Sequence, residues 1–134
     1  MHKILSIDVG ERRVGLATSD ELGMLASPFG YLDREGAIEK IADTIVGENI
    51  GQIVIGLPYL ASGDLGSQAE DVQKFAAELA RATNIGMDFE NEILTSVEAV
   101  NRLKRMKRKI KDKGEVDAMA ATIILEGYLG RIKK

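Results

Sequence analysis

Short apolar runs open the chain, and their period is that of β-strands. Residues 3–8 (KILSID) and 13–19 (RVGLATS) are two such runs, and Gly10 lies in the short turn between them. Two strands joined by a short glycine turn predict a β-hairpin. A third strand is expected near 27–32, where proline and glycine interrupt the pattern.

The period then changes, and helices alternate with strands. Residues 35–48 carry apolar positions at helical spacing, whereas 52–57 (QIVIGL) is a β-branched run typical of a buried strand. Turn formers predict a loop over 58–66, and 85–94 holds a short strand. Two S/T-x-x-E sequences, at Ser67 and Thr95, predict capping boxes that open helices. One apolar face predicts the last helix: Val116, Met119, Ala120, Ile123, Ile124 and Tyr128.

The element order is therefore β-β-β-α-β-α-β-α-α. Antiparallel strands followed by βα units predict an α/β fold, in which a mixed five-stranded sheet is flanked by helices. Because ligand sites in such sheets lie at strand ends, polar residues there are the first candidates for function.

Composition narrows the chemistry. The 134 residues suit one domain spanning 1–134, and they include no cysteine and one histidine, His2. Thiol nucleophiles are excluded, and a histidine-based triad or metal site is disfavoured. A metal would have oxygen ligands, which favours Mg²⁺ or Mn²⁺. With no membrane-length apolar run and no visible signal peptide, we expect a cytoplasmic protein without a membrane partner.

The net charge of −3 hides a strongly basic segment. Residues 102–113 (RLKRMKRKIKDK) contain eight Lys or Arg and one Asp. Such a run is usually a solvated helix face, but this density also suits an anionic polymer partner.

Three acids occupy positions that could meet. Asp8 ends the first strand, Glu92 lies near the end of the strand before Thr95, and Asp117 lies near the start of the last helix. Each also has a plainer explanation: a solvated strand-end acid, a surface turn and a helix-dipole contact, respectively. Neighbouring carboxylates repel one another and raise one another's pKa. A divalent cation bound between them would relieve this repulsion.

These residues belong to longer motifs that resemble one family. "ILSIDVGERRVGLATSD", "IVIGLPYLASGDLGSQAEDVQKFAAEL", "NEILTSVEA" and "VDAMAATIILEGYL" resemble, in order, four segments of the YqgF-like family. Members of that family are described as pre-16S rRNA nucleases and as Holliday-junction resolvases. The resemblance covers nearly the whole chain, and four motifs in register are far more specific than one.

The resemblance implies an RNase H-like fold and a metal-dependent endonuclease that hydrolyses phosphodiester bonds. It implies Asp8, Glu92 and Asp117 as the catalytic triad that binds Mg²⁺ or Mn²⁺. The favoured substrate is the 5′ end of the 16S rRNA precursor, with a ribosomal particle as a further partner; branched DNA is the alternative. We expect a monomer or weak dimer. Basic residues are expected to contact phosphates: Arg12, Arg13, Arg102, Arg105, Lys107, Arg108 and Lys109.

The chain also departs from the family pattern. Asn91 and Ile93 replace the acid and arginine that usually flank the central glutamate, and Glu11 adds a negative charge to the first turn. These changes leave open a catalytically weak nucleic-acid-binding module. A third hypothesis is a fragment of a sugar-kinase-like or actin-like ATPase, because D-x-G after a strand also suits a phosphate-binding loop. That architecture, however, needs two such domains.

Overall fold

A five-stranded mixed sheet forms the centre of the computed structural model, which describes residues 2–58, 66–92, 95–106 and 113–132. The strands lie in the order β3-β2-β1-β4-β5. The strands are β1 (Lys3–Val9), β2 (Arg13–Ser19), β3 (Ala26–Asp33), β4 (Ile50–Pro58) and β5 (Gly86–Glu92). The helices are α1 (Ala37–Gly47), α2 (Ser67–Ala82), α3 (Thr95–Arg105) and α4 (Lys113–Ile132). The predicted element order is confirmed.

Strand direction divides the sheet into two halves. The chain's first three strands pair antiparallel, and β1, β4 and β5 run parallel to one another. The predicted interruption of β3 is real, because the β2–β3 register shifts after Leu16 and Gly30 has φ 151°. The carboxyl ends of β1 and β5 consequently lie at the same edge of the sheet.

Each face of the sheet is covered by a different set of helices. On one face, Leu5, Ile7 and Ile55 pack with α1 and α2 in the main aliphatic core. On the other, Ala17 and Val54 pack against α4. Strand alternation places Ser6 and Asp8 on the α4 side, where the Ser6 hydroxyl donates a 2.8 Å hydrogen bond to the carbonyl of Ala121.

Helix α4 is buried on two sides, whereas the sequence predicted one apolar face. Ile124 and Tyr128 pack against the sheet, but Met119 and Ala120 pack against α3. The prediction of a single face was wrong because the helix lies between the sheet and a second helix, so its apolar positions extend around most of its circumference.

Helix α2 begins one residue away from its predicted cap. Gly66 is the N-cap residue, no side chain caps the helix, and Ser67 is already its first residue. The capping box predicted at Ser67 is therefore wrong, although the helix it was expected to open is present. At α3, the described contact of Glu98 is an ion pair with Arg102. Among the described helices, none combines the length and apolar character needed to cross a bilayer.

Candidate active site

The first two acids are brought together by the order of the strands. Asp8 is the penultimate residue of β1, and Glu92 is the last residue of β5. Strand β4 lies between β1 and β5 and pairs in parallel with both. Its Gly56 is paired with Glu90 of β5. A Cβ built on Gly56 would lie 2.7 Å from Oε2 of Glu92, so the missing side chain leaves the space into which Glu92 turns.

Asp8 and Glu92 form a close pair of acids. Asp8 is only 9% exposed, and the Glu92 carboxyl lies within hydrogen-bonding reach of it. Burial is the main cause that raises the pKa of Asp8 well above its usual value; the charge and hydrogen bond of Glu92 and the charge of Asp117 act in the same direction. The interpretation of Asp8 as a solvated strand-end acid is therefore wrong.

The other acids of β5 show why this pair is unusual. Asp88 and Glu90 project toward α4 as Glu92 does, but each has a donor there. Tyr128 donates a 2.6 Å hydrogen bond to Asp88, and Arg131 donates one of 2.8 Å to Glu90. Burial and the Asp88 contact raise the pKa of Tyr128 to about 12, so the tyrosine remains a donor across the ordinary pH range. Glu92, in contrast, meets another acid.

Asp117 completes the acidic group from the helix side. Its backbone carbonyl packs directly on Gly15 of β2, where any Cβ would collide with it. Gly15 is the residue paired with Asp8 across the hairpin, so this close approach fixes Asp117 beside the Asp8–Glu92 pair. The Asp117 carboxylate itself is bound by Arg13, whose Nε donates to Oδ2 at 2.7 Å.

The described part of the chain holds no group of three or more His, Cys, Asp or Glu side chains arranged to bind a metal ion. The donor set nevertheless fits a hard divalent cation, because Asp8 and Glu92 offer carboxylate oxygens whose mutual repulsion an ion would relieve. Asp117 is the adjacent third carboxylate, at present engaged by Arg13.

The predicted phosphate contacts differ in their surroundings. Arg12 and Arg105 lie exposed, as a phosphate contact requires. Arg102 is instead held by two acids, Glu126 at 2.7 Å and Glu98 at 3.5 Å, which reduces its availability for nucleic acid. Three further predicted contacts, Lys107, Arg108 and Lys109, lie outside the described residues.

Sequence patterns missed Arg34, which fixes the turn beside the site. Its guanidinium donates to the carbonyl of Gly10 at 2.8 Å and to both carboxylate oxygens of Asp71 at 2.9 and 3.0 Å. It also stacks over Phe75, 5.1 Å from the ring centre. Arg34 therefore ties the β1–β2 turn to α2, and nothing local in the sequence around it predicts this role.

Two of the three departures from the family pattern lie at exposed positions. Glu11 is exposed and lines a shallow hollow of about 840 Å³ with Arg34, Ser67 and Asp71, among others. Asn91 is also exposed, and strand alternation turns it to the face of β5 opposite Glu92. Ile93 lies outside the described residues.

Comparison with solved structures defines the class of fold. RuvC of Thermus thermophilus aligns with a TM-score of 0.60 at 10% identity, covering 98% of this chain and 96% of that one. The same protein in complex with a Holliday junction substrate gives 0.57 at 11% identity, with the same coverage. The fowlpox virus Holliday junction resolvase gives 0.56 at 12%, covering 96% and 99%. The chain thus has the RNase H-like fold of these resolvases.

Sequence comparison then identifies the family. Residues 2–131 match the model of the RuvX family, described as "Holliday junction resolvase". Two relatives named "Putative pre-16S rRNA nuclease", from Gloeothece citriformis and a Picosynechococcus species, are 41% and 43% identical over 129 residues. Each alignment covers 93% of this chain, and they cover 85% and 90% of the relatives. The chain belongs to the RuvX family, and the YqgF-like resemblance is confirmed.

Proposed function

We propose that this protein is a divalent-metal-dependent endonuclease that hydrolyses phosphodiester bonds of structured nucleic acid. The observation that carries the proposal is the pairing of the buried Asp8 with the partly buried Glu92, with Asp117 beside them. Two acidic side chains this close together, one of them buried, do not stabilise a fold, so the arrangement suits a ligand of positive charge. Family membership supports the same chemistry.

Asp8, Glu92 and Asp117 would hold Mg²⁺ or Mn²⁺, which stabilises the charge that develops on a phosphate during hydrolysis. Strands β1 and β5 fix the first two carboxylates, and the contact of Asp117 with Gly15 fixes the third. Arg12 and Arg105 would bind flanking phosphates and orient the backbone, with little reading of base sequence.

The substrate we favour is the 16S rRNA precursor, because the similar relatives carry the name "Putative pre-16S rRNA nuclease". Within that precursor we favour cleavage near the 5′ end. A ribosomal particle is then a partner, and the cytoplasm is the place of action. Four-way DNA junctions are the second candidate, supported by the description of the matching family. Symmetric junction cleavage would need two active sites, whereas rRNA processing is compatible with the monomer or weak dimer we propose.

A cleavage assay tests the proposal on both substrates. Wild type and Asp8→Asn are incubated with a labelled precursor leader and with a labelled four-way junction, with and without Mn²⁺. We expect Mn²⁺-dependent cleavage by wild type and a loss of roughly a hundredfold or more in Asp8→Asn. The preferred substrate distinguishes the two candidates.

Asp88→Asn is the matched control, since it makes the same change on the same sheet face. The Tyr128 hydroxyl can still donate its hydrogen bond to the amide oxygen that this substitution introduces, so the fold should be kept and cleavage should persist. If wild type binds both nucleic acids but cuts neither, the chain is a binding module and the nuclease proposal fails. ATP hydrolysis without cleavage of either nucleic acid would instead support the sugar-kinase-like or actin-like ATPase.

A further inference from the structure

The Asp117 carboxylate contacts Arg13 and also lies near the Asp8–Glu92 pair. Arg13 holds Oδ2 at 2.7 Å, in a pair that is only partly exposed. The negative charge of Asp117 also acts on Asp8, so the Asp8–Glu92 pair is close by. The backbone of Asp117 is fixed against Gly15, which leaves side-chain rotation as the simplest way to exchange one partner for the other.

Arg13 is itself anchored. It begins β2, and its backbone carbonyl accepts a 2.9 Å hydrogen bond from Gly10 in the adjoining turn. Its neighbour Arg12 carries the same charge but lies exposed, at the rim of a hollow lined also by Asp33 and Glu35. Of these two adjacent arginines, Arg13 is the one placed to compensate the third acid of the site.

We propose that Arg13 is a positioning residue that competes with the divalent cation for Asp117. With no cation bound, Arg13 holds Asp117 away from Asp8 and Glu92 and limits the repulsion among the three acids. A bound cation would be held by Asp8 and Glu92, and Asp117 would supply a third carboxylate once it no longer pairs with Arg13. The inference rests on the proposed function and adds an order of events to it.

The test measures Mn²⁺ affinity directly, by titration calorimetry, in wild type, Arg13→Gln and Arg12→Gln. Arg13→Gln removes the competitor and should bind Mn²⁺ about fivefold more tightly than Arg12→Gln, which removes the same charge without touching Asp117. A purely structural role for Arg13 would lower the melting temperature in chelator and leave the affinity ratio at one.

Asp117 supplies the second arm of the test. If competition for its carboxylate is the cause, adding Arg13→Gln to Asp117→Asn should leave the Mn²⁺ affinity unchanged. Tightening that persists in the Asp117→Asn background would overturn the inference. Should Arg13→Gln fail to fold, Arg13→Lys keeps the charge but loses the planar fork, and about twofold tightening is expected; unchanged affinity counts against the inference.

The outcomes separate this inference from the nuclease proposal. If Asp8→Asn abolishes Mn²⁺ binding while Arg13→Gln behaves as Arg12→Gln does, competition is refuted and the metal site remains. If wild type binds no Mn²⁺ at all, both the inference and the metal-dependent proposal fall.

Discussion

Asp8 is a residue whose chemistry works against the stability of the fold. Its carboxyl group is buried, and two further acids, Glu92 and Asp117, act on it. A neutral side chain of the same shape would avoid these costs. Such a conflict between local chemistry and stability is typical of functional residues.

We therefore expect Asp8→Asn to be at least as stable as wild type when no divalent cation is present. Replacing this carboxyl by a neutral amide removes the repulsion from Glu92 and Asp117 and the cost of burying an ionisable group, so the free energy of unfolding should rise by about 1 kcal/mol at neutral pH in a chelator. Denaturant unfolding followed by circular dichroism measures it, with Asp88→Asn as the control. A clear loss of stability in Asp8→Asn would indicate a structural role for this carboxylate.

Asp71 shows the opposite behaviour. Its hydrogen bonds to Arg34 lower its pKa, and its side chain is 46% exposed, so solvent screens the pair. Because the folded-state pKa is below the unfolded one, the pair stabilises the fold above the unfolded pKa. That contribution is lost as the pH falls through the folded pKa.

Asp71→Asn should thus lower the free energy of unfolding at pH 7 by about 0.5 kcal/mol, and the difference from wild type should shrink as the pH falls below the unfolded-state pKa of about 3.9. Unfolding curves across this range measure it. Asp43→Asn, an exposed acid on α1, is the control and should show a smaller difference at pH 7. A pH-independent effect in Asp71→Asn would show that the charge is not the cause.

At the scale of elements, one close approach positions the site. Helix α4 packs on β2 through backbone atoms, because Gly15 carries no side chain where the carbonyl of Asp117 lies. The helix could not keep this place with a larger residue below it. Gly15 thereby links helix packing to the location of the third acid.

Gly15→Ala should cost about 2–4 kcal/mol of stability, since the added methyl must displace backbone atoms of α4. The control variant is Gly130→Ala. Gly130 lies in α4 itself, where an added Cβ meets open space. That change should instead stabilise the protein by about 0.5–1 kcal/mol through helix propensity. Thermal and denaturant unfolding compare the two; equal effects would contradict the packing argument.

The hydrophobic period and the turn residues predicted the strands and helices well, but they did not predict the contacts between these elements. Strand-end acids and element order follow from period and turn residues, so Asp8 and Glu92 could be identified as candidates. The contact between Arg13 and Asp117 joins residues 104 positions apart and depends on where α4 lies over β2. The burial of α4 on two sides was missed for the same reason, because only tertiary packing shows that α3 covers Ala120.

On the scale of the whole molecule, charge is divided between an acidic site and a basic stretch of sequence. The acids gather at the ends of β1 and β5, whereas 102–113 carries the dense positive charge in the sequence, and within it 107–112 lie outside the described residues. An anionic polymer would be attracted to basic residues such as the exposed Arg105 and repelled by the acids until a cation is bound. Nucleic-acid affinity should therefore depend on both monovalent salt and divalent cation.

Arg105→Gln should reduce the slope of log affinity against log salt concentration by about 0.7–0.9, as expected for one lost phosphate contact. Arg102→Gln, on the same helix, should change the slope less, because Glu98 and Glu126 already hold this guanidinium. Fluorescence anisotropy at several salt concentrations provides the slopes. Identical slopes for wild type and Arg105→Gln would remove α3 from the binding surface.

The position of α4 in the chain has a consequence for folding. This helix follows every strand in sequence, yet it packs on β1, β2 and β3, which come first. Contacts of such high contact order form slowly, because long loops must close before any stability is gained. During synthesis, the sheet face that bears Asp8 stays uncovered until α4 has been made. The nascent chain therefore exposes an apolar surface until α4 emerges, and the third acid of the site, Asp117, can join Asp8 only after that point.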